Sequence, residues 1–142
     1  MLQRLRAVPF PLRFVLPAPL ILLAPVLLPG RAMFWGLPML QFVPWWTTAW
    51  NIVLTGQIPL WNPHVGLGAP LLANYQTALL YPPTWLLIPF AALGGASGIA
   101  TGLGWLIALH MIWAGVGMVW LTRALGWRAL PQTISALAFM LG

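Results

Sequence analysis

LGWLIALHMIWAGVGMVWLT, residues 103–122, is an uncharged run whose length as a helix is about 30 Å, the thickness of a bilayer's hydrocarbon core. Its strongly apolar positions are Leu103, Leu106, Ile107, Leu109, Ile112, Val116, Val119 and Leu121. At about −0.3 to −0.6 kcal/mol each on insertion scales they supply a few kcal/mol, enough to offset one histidine and several glycines. His110 falls near mid-depth, where a polar side chain faces protein or a water-filled cavity. It reads as a packing histidine, with a proton relay as the alternative. Gly104, Ala108, Ala114 and Gly115 give the helix small faces for close contact with other helices.

Composition extends that reading to the whole chain. Of 142 residues, 61% are hydrophobic and 4% charged, with mean hydropathy +0.92. A soluble domain carries about 25% charged residues, so lipid must be the solvent for much of this chain. There is no cysteine, which excludes disulfide and thiol chemistry. There is no Asp or Glu either, so no carboxylate of this chain can serve as general base, nucleophile or metal ligand. His64 and His110, far apart, do not make a metal site, and no metal or cofactor is expected. The positive charges are Arg4, Arg6, Arg13, Arg31, Arg123 and Arg128. They flank apolar segments and set membrane topology; nucleic-acid binding is not expected of them.

Working outward, residues 1–13 read as a cytoplasmic basic start. Residues 14–29, FVLPAPLILLAPVLLP, read as a first transmembrane helix of about 24 Å, kinked at Pro17, Pro19 and Pro25. Snorkelling by Arg13 and local thinning cover the shortfall. The basic-then-apolar order also suits a signal peptide, but no small-x-small cleavage pattern follows, which favours an uncleaved signal-anchor. The positive-inside rule then puts the N-terminus in the cytoplasm, residues 30–98 outside, a second span at 99–122 and a cytoplasmic loop at 123–130. Residues 131–142, PQTISALAFMLG, read as the start of a third span too short to cross, as in a fragment of a longer protein. Arg31, on the outer side, is an exception to the charge rule: an interfacial anchor near Trp35, or a guanidinium for a phosphate.

Within the external region, Met39 to Thr55 reads as a helix lying on the membrane surface. Pro44 suits its first turn and Gly56 its C-terminal cap. Gln41, Thr48, Asn51 and Thr55 recur at helical spacing, opposite Trp45, Trp46, Ile52 and Val53. The tryptophans read as headgroup-level anchors. The following stretch, QIPLWNPHVGLGAPLLANYQTALLYPP at residues 57–83, gathers Gln57, Asn62, His64, Asn74, Tyr75, Gln76, Thr77 and Tyr81 between prolines and glycines. Long irregular segments of this kind usually carry function. Leu60 to Pro63 reads as a turn and Gly66-Leu67-Gly68 as a plain loop, or a weak anion nest. Pro70 to Leu80 reads as a short helix ended by Tyr81-Pro82-Pro83, with Tyr81 an aromatic-belt residue. Thr84 to Leu93, about 15 Å as a helix, is too short to cross, and Gly94 to Gly98 reads as a flexible joint.

GQIPLWNPHVGLGAPLLANYQTALLYPP resembles the first external loop of the bacterial YfhO-like membrane proteins, which are similar to GT-C-type glycosyltransferases. Leu40 to Trp45, LQFVPW, resembles the segment leading into that loop. Leu109 to Trp127, LHMIWAGVGMVWLTRALGW, resembles the next span with its cytoplasmic arginine. The resemblance covers about residues 30 to 142. Leu60-Trp61-Asn62-Pro63, Asn74-Tyr75-Gln76 and Tyr81-Pro82-Pro83 carry it.

The resemblance implies an all-α, polytopic, multi-pass protein of the bacterial cytoplasmic (inner) membrane, of which this chain is the N-terminal part. It implies transfer of sugar from a polyprenyl-phosphate-linked donor to a cell-envelope acceptor. Arg31, Gln41, Asn62, His64, Asn74, Gln76 and Tyr81 are then the substrate-binding candidates. The partners are the bilayer, the lipid-linked sugar, and other membrane helices or the remaining C-terminal part. The family places an acidic residue shortly before the Gln-Phe pair; here the slot, near Leu37 or Pro38, has no carboxylate. Catalysis is therefore left unassigned. The alternative is a non-catalytic accessory or degenerate subunit packing its tryptophans and small residues against a larger complex. A transporter piece has only His110 and kinked helices in its support.

Overall fold

In a computed structural model that describes residues 9–33 and 36–142, the chain is mostly helical, with one helix long and apolar enough to cross a membrane. Arg4 and Arg6 of the basic start, and Trp35, lie outside the described residues. The elements in order are α1 (Leu12–Val15), α2 (Pro17–Leu23), α3 (Val43–Leu54), β1 (Trp61–Asn62), β2 (Ala69–Pro70), α4 (Ile88–Ala124) and α5 (Ala129–Leu141). Short 3-10 turns at Ala24–Val26, Tyr75–Thr77 and Pro82–Leu87 and a π-helical turn at Pro38–Phe42 fill in between them.

The uncharged run 103–122 lies within α4. The expected glycine joint is a sharp kink in that helix, with Gly95 at φ 53 and ψ −134, a conformation glycine adopts without steric cost. Three residues on, a Cβ on Gly98 would meet the Phe90 carbonyl, so the chain can double back here only on glycine. At its other end α4 closes in a Schellman motif. Gly126, at φ 77, donates to the Arg123 carbonyl at 3.0 Å, and the Trp127 N–H donates to the Thr122 carbonyl at 3.0 Å.

The chain divides into two compact units. Among the described residues, the first comprises 9–24 and 107–142. The expected span at 14–29 is helical over a shorter and less regular stretch: α1 and α2 pass into the 3-10 turn that ends at Val26. The three prolines each remove a helical N–H, which explains the tightening. The apolar helical stretch Leu12–Val26 is too short to count as a span. Val15, Val119, Ala136 and Met140 form this unit's buried cluster, with Leu12, Ala18, Ala114, Val116, Met118 and Leu137 around it. Gly115 sits where a Cβ would lie 2.6 Å from both Met140 Sδ and Val15 Cγ1, so its missing side chain sets how closely these helices approach.

The second unit is Pro25–Leu106. Its leading segment is fastened to α4 by two bonds. Thr101 Oγ1 donates to the Arg31 carbonyl at 3.2 Å, and Trp105 Nε1 donates to the Leu27 carbonyl at 3.0 Å. Gly104 keeps the Val26 carbonyl close, since a Cβ there would come within 3.1 Å of it. As expected, α3 carries proline in its first turn and ends on Gly56. That end too is a Schellman motif, with Gly56 N–H to the Val53 carbonyl at 2.9 Å and Gln57 N–H to the Ile52 carbonyl at 3.3 Å.

Several local expectations are corrected. Leu60 to Pro63 is no mere turn: Trp61 and Asn62 pair antiparallel with Pro70 and Ala69, so an otherwise helical protein holds one short hairpin. Pro70 to Leu80 is no helix beyond the 3-10 turn Tyr75–Thr77, and Ala78 leaves it in the left-handed region at φ 49. Tyr81-Pro82-Pro83 begins a helix where it was expected to end one. Proline lacks the N–H that a first turn leaves unbonded anyway, so Pro82 and Pro83 start the turn that runs into α4.

Candidate functional site

The irregular segment between β2 and α4 is closed by side chains bonding to backbone. Thr77 is fully buried, and its hydroxyl lies 3.0 Å from the Leu71 carbonyl and 2.7 Å from the Asn74 carbonyl. Thr84 does the same for the Ala78 and Tyr81 carbonyls, at 2.9 and 2.7 Å. Trp46 Nε1 donates to the Thr77 carbonyl at 2.8 Å, and Trp85 Nε1 to the Leu79 carbonyl at 2.8 Å. The Trp46 bond ties the segment to α3.

These bonds correct the reading of the α3 tryptophans. Of the two read as headgroup anchors, Trp46 is 6% exposed and so a core residue covered by protein, while Trp45 is partly buried; Trp50, 3% exposed, joins Trp46 in the core. The sequence showed the helix's polar face; it did not show that the loop would fold over the opposite one. Among the described residues, Trp50 Nε1 is the buried side-chain nitrogen without a hydrogen-bond partner.

The polar face of α3 borders an open cleft of about 580 Å³. Val43, Pro44, Thr47, Thr48, Asn51 and Ile52 line it from the helix, Pro63 and His64 from the hairpin, and Ala96 from just beyond the α4 kink. Positions 43, 47 and 51 recur every fourth residue and so share a helix face. Two of its hydroxyls are already engaged: Thr47 Oγ1 donates to the Val43 carbonyl at 2.7 Å and Thr48 Oγ1 to the Pro44 carbonyl at 3.1 Å. Among the described residues, no side-chain hydrogen bond occupies Asn51 or His64. Asn51 offers two donors and an acceptor, and a neutral imidazole offers one of each. That set suits hydroxyls and amides and needs no charge.

The seven residues singled out in the sequence fall into different roles. His64 lines the cleft. Asn62 is buried and does not line it; its Oδ1 accepts from the His64 backbone N–H at 2.9 Å, which sets the turn that presents His64. Asn74 caps the 3-10 turn, accepting from the Gln76 N–H at 3.1 Å. Gln76 in turn accepts from Gln41 Nε2 at 3.3 Å, an exposed amide pair joining the π-helical turn to the loop. Tyr81 is half-exposed at the start of the next turn, and Arg31 is exposed. Neither lines the cleft.

Thr47 and Pro63 line the cleft without having been singled out, and Asn51 had been read only as part of a stripe. The four-residue spacing was the available signal for Thr47 and Asn51. Nothing in the sequence announced that Pro63 and His64 would reach α3.

A second cavity, of about 300 Å³, is walled by Trp50, Val53, Pro59, Leu72, Leu79, Trp85 and Ile88 and is apolar. No cluster of side chains fit to hold a metal ion occurs among the described residues. The chain matches no protein-family model, and no curated protein or solved structure is significantly similar to it.

Proposed function

We propose that this chain is the binding part of a multi-pass protein of the bacterial inner membrane, of the YfhO-like, GT-C type, with its N-terminus in the cytoplasm. In this reading the part of α4 from residue 99 to 122, beyond the Gly95 kink, crosses the bilayer and residues 30–98 face outward. The α3 cleft receives the polar end of a polyprenyl-phosphate-linked sugar, with Asn51 and His64 as its hydrogen-bonding groups. Arg31 and the Gln41–Gln76 pair are solvent-facing contacts for the phosphate or the acceptor. With no Asp or Glu in the chain, its own contribution is to bind and orient; proton removal from an acceptor hydroxyl falls to a group outside it.

The observation that carries the reading is the cleft itself: an open space of about 580 Å³ whose mostly apolar wall carries Asn51 and His64, two side chains with no hydrogen bond among the described residues. The resemblance of residues 57–83 to an external loop of sugar-transferring membrane proteins supplies the ligand class. The test is binding of a polyprenyl-phosphate hexose in lipid nanodiscs to the full chain. Asn51→Ala and His64→Ala should each weaken it about 2- to 12-fold, the weight of one hydrogen bond of about 0.5–1.5 kcal/mol. Unchanged affinity in both variants removes the cleft from the reading.

A non-catalytic accessory subunit is the second reading. The observation in its favour is the face of α4 bearing Trp113 and Trp120, 61% and 65% exposed, which a neighbouring membrane helix could cover. Recovery of the intact chain in a stoichiometric complex, with sugar transfer indifferent to its deletion, would select it.

A further inference from the structure

The hairpin ends in a turn that is apolar where turns are usually polar. Gly68 N–H donates to the Val65 carbonyl at 2.8 Å, closing Val65-Gly66-Leu67-Gly68. Gly66 sits at φ +57, whereas Leu67 is not among the residues of positive φ, the sign pattern of a II′ turn, which requires glycine at its second position. Leu67 is thereby left at the apex with its whole side chain in the open, 105% exposed. Val65, Trp61 and Leu60, in the turn and its leading strand, are exposed too. The Trp61 indole lies against Gly68, where any Cβ would collide with its nitrogen, so the turn is braced from one side by an aromatic ring.

Turns that face water carry Asn, Asp, Ser or charge around their glycines. This one carries valine and leucine, and no Lys, Arg, Asp or Glu occurs anywhere from Ala32 to Thr122. Clustered exposed apolar side chains mark an interaction surface. The shape says which kind: single aliphatic side chains standing on a narrow turn make a wedge, with no groove to receive a partner's side chain. Tryptophan beside such a wedge is the residue that favours the headgroup level. The turn backbone bonds only partly within itself, so it must stay within reach of water, which limits the depth to the headgroup–acyl boundary.

We infer that the hairpin tip inserts shallowly into the outer leaflet, Val65 and Leu67 entering the acyl boundary and Trp61 resting among the headgroups. Pro63 and His64 lie in the same loop, so the insertion holds the hairpin side of the cleft at headgroup depth. The inference rests on the membrane reading above for the presence of a bilayer and for which leaflet the tip meets.

The natural absence of cysteine allows single-site spin labels on the full chain. Leu67→Cys, Val65→Cys and Trp113→Cys are labelled separately in phosphatidylethanolamine–phosphatidylglycerol vesicles, and collision with oxygen is compared with collision with a water-soluble nickel chelate. Leu67 is wholly exposed, so its label leaves the fold intact. The expected result is several-fold excess oxygen over nickel collision at 67, a smaller excess at 65, and a Trp113 label shielded from nickel. Free access of nickel to 65 and 67 with Trp113 shielded overturns the insertion and leaves the span standing. Protection of 65 and 67 from both reagents also overturns it, because the tip then packs on protein. Nickel access at all three positions brings down the insertion and the membrane reading together.

Discussion

The packing around Gly115 and the loop around Thr77 are held by opposite means. At Gly115, three elements meet through the apolar side chains of Val15 and Met140 and a missing side chain. At Thr77, a buried hydroxyl and the Trp46 indole brace an irregular loop whose backbone is only partly satisfied by its own turns. Apolar packing is non-directional and fails by volume; the loop is directional and fails by losing a donor. It follows that polar residues crowded into a loop can be its struts, and that the groups left over for a ligand lie elsewhere.

Five substitutions probe that contrast, each read as a shift of the unfolding transition in detergent. Trp46→Ala removes a buried ring and the bond to the Thr77 carbonyl, and should cost about 3–5 kcal/mol. Gly115→Leu forces a side chain against Met140 and Val15 and should cost about 1–3 kcal/mol or more, while Gly117→Leu, with open space around its Cβ, should not. Equal effects at the two glycines would falsify the claim that volume governs that unit. Thr77→Val keeps shape and deletes the hydroxyl, with an expected loss of about 1–2 kcal/mol; a neutral result would mean the loop is held by packing after all. His64→Ala comes last, within about 0.5 kcal/mol of wild type in stability, because its exposed imidazole supports nothing in the fold. A large loss there would turn His64 from a binding group into a strut.

Legibility in the sequence followed range. The cap at Gly56 was readable because it depends on backbone chemistry within one turn, whereas the start expected at Met39 is a π-helical turn, Pro38–Phe42, and α3 begins at Val43 with Pro44 in its first turn. Of the polar stripe readable by its period, Thr48 and Asn51 border the cleft and Gln41 and Thr55 do not. The roles of Asn62, Asn74 and Thr77 were not, since an amide or hydroxyl reads the same whether it will bond to its own backbone or to a ligand. Tyr81-Pro82-Pro83 was misread because proline both stops a helix before it and starts one after it.

Composition and periodicity alone determined that this chain is built of apolar helices with almost no charge, and that none of its own side chains supplies a carboxylate. Tertiary structure alone decided which face of α3 the loop covers, that Trp46 and Trp50 are core, and that His64 reaches the helix that carries Asn51. The first kind of fact is a property of neighbours along the chain. The second depends on contacts between residues far apart in sequence, which no local pattern encodes.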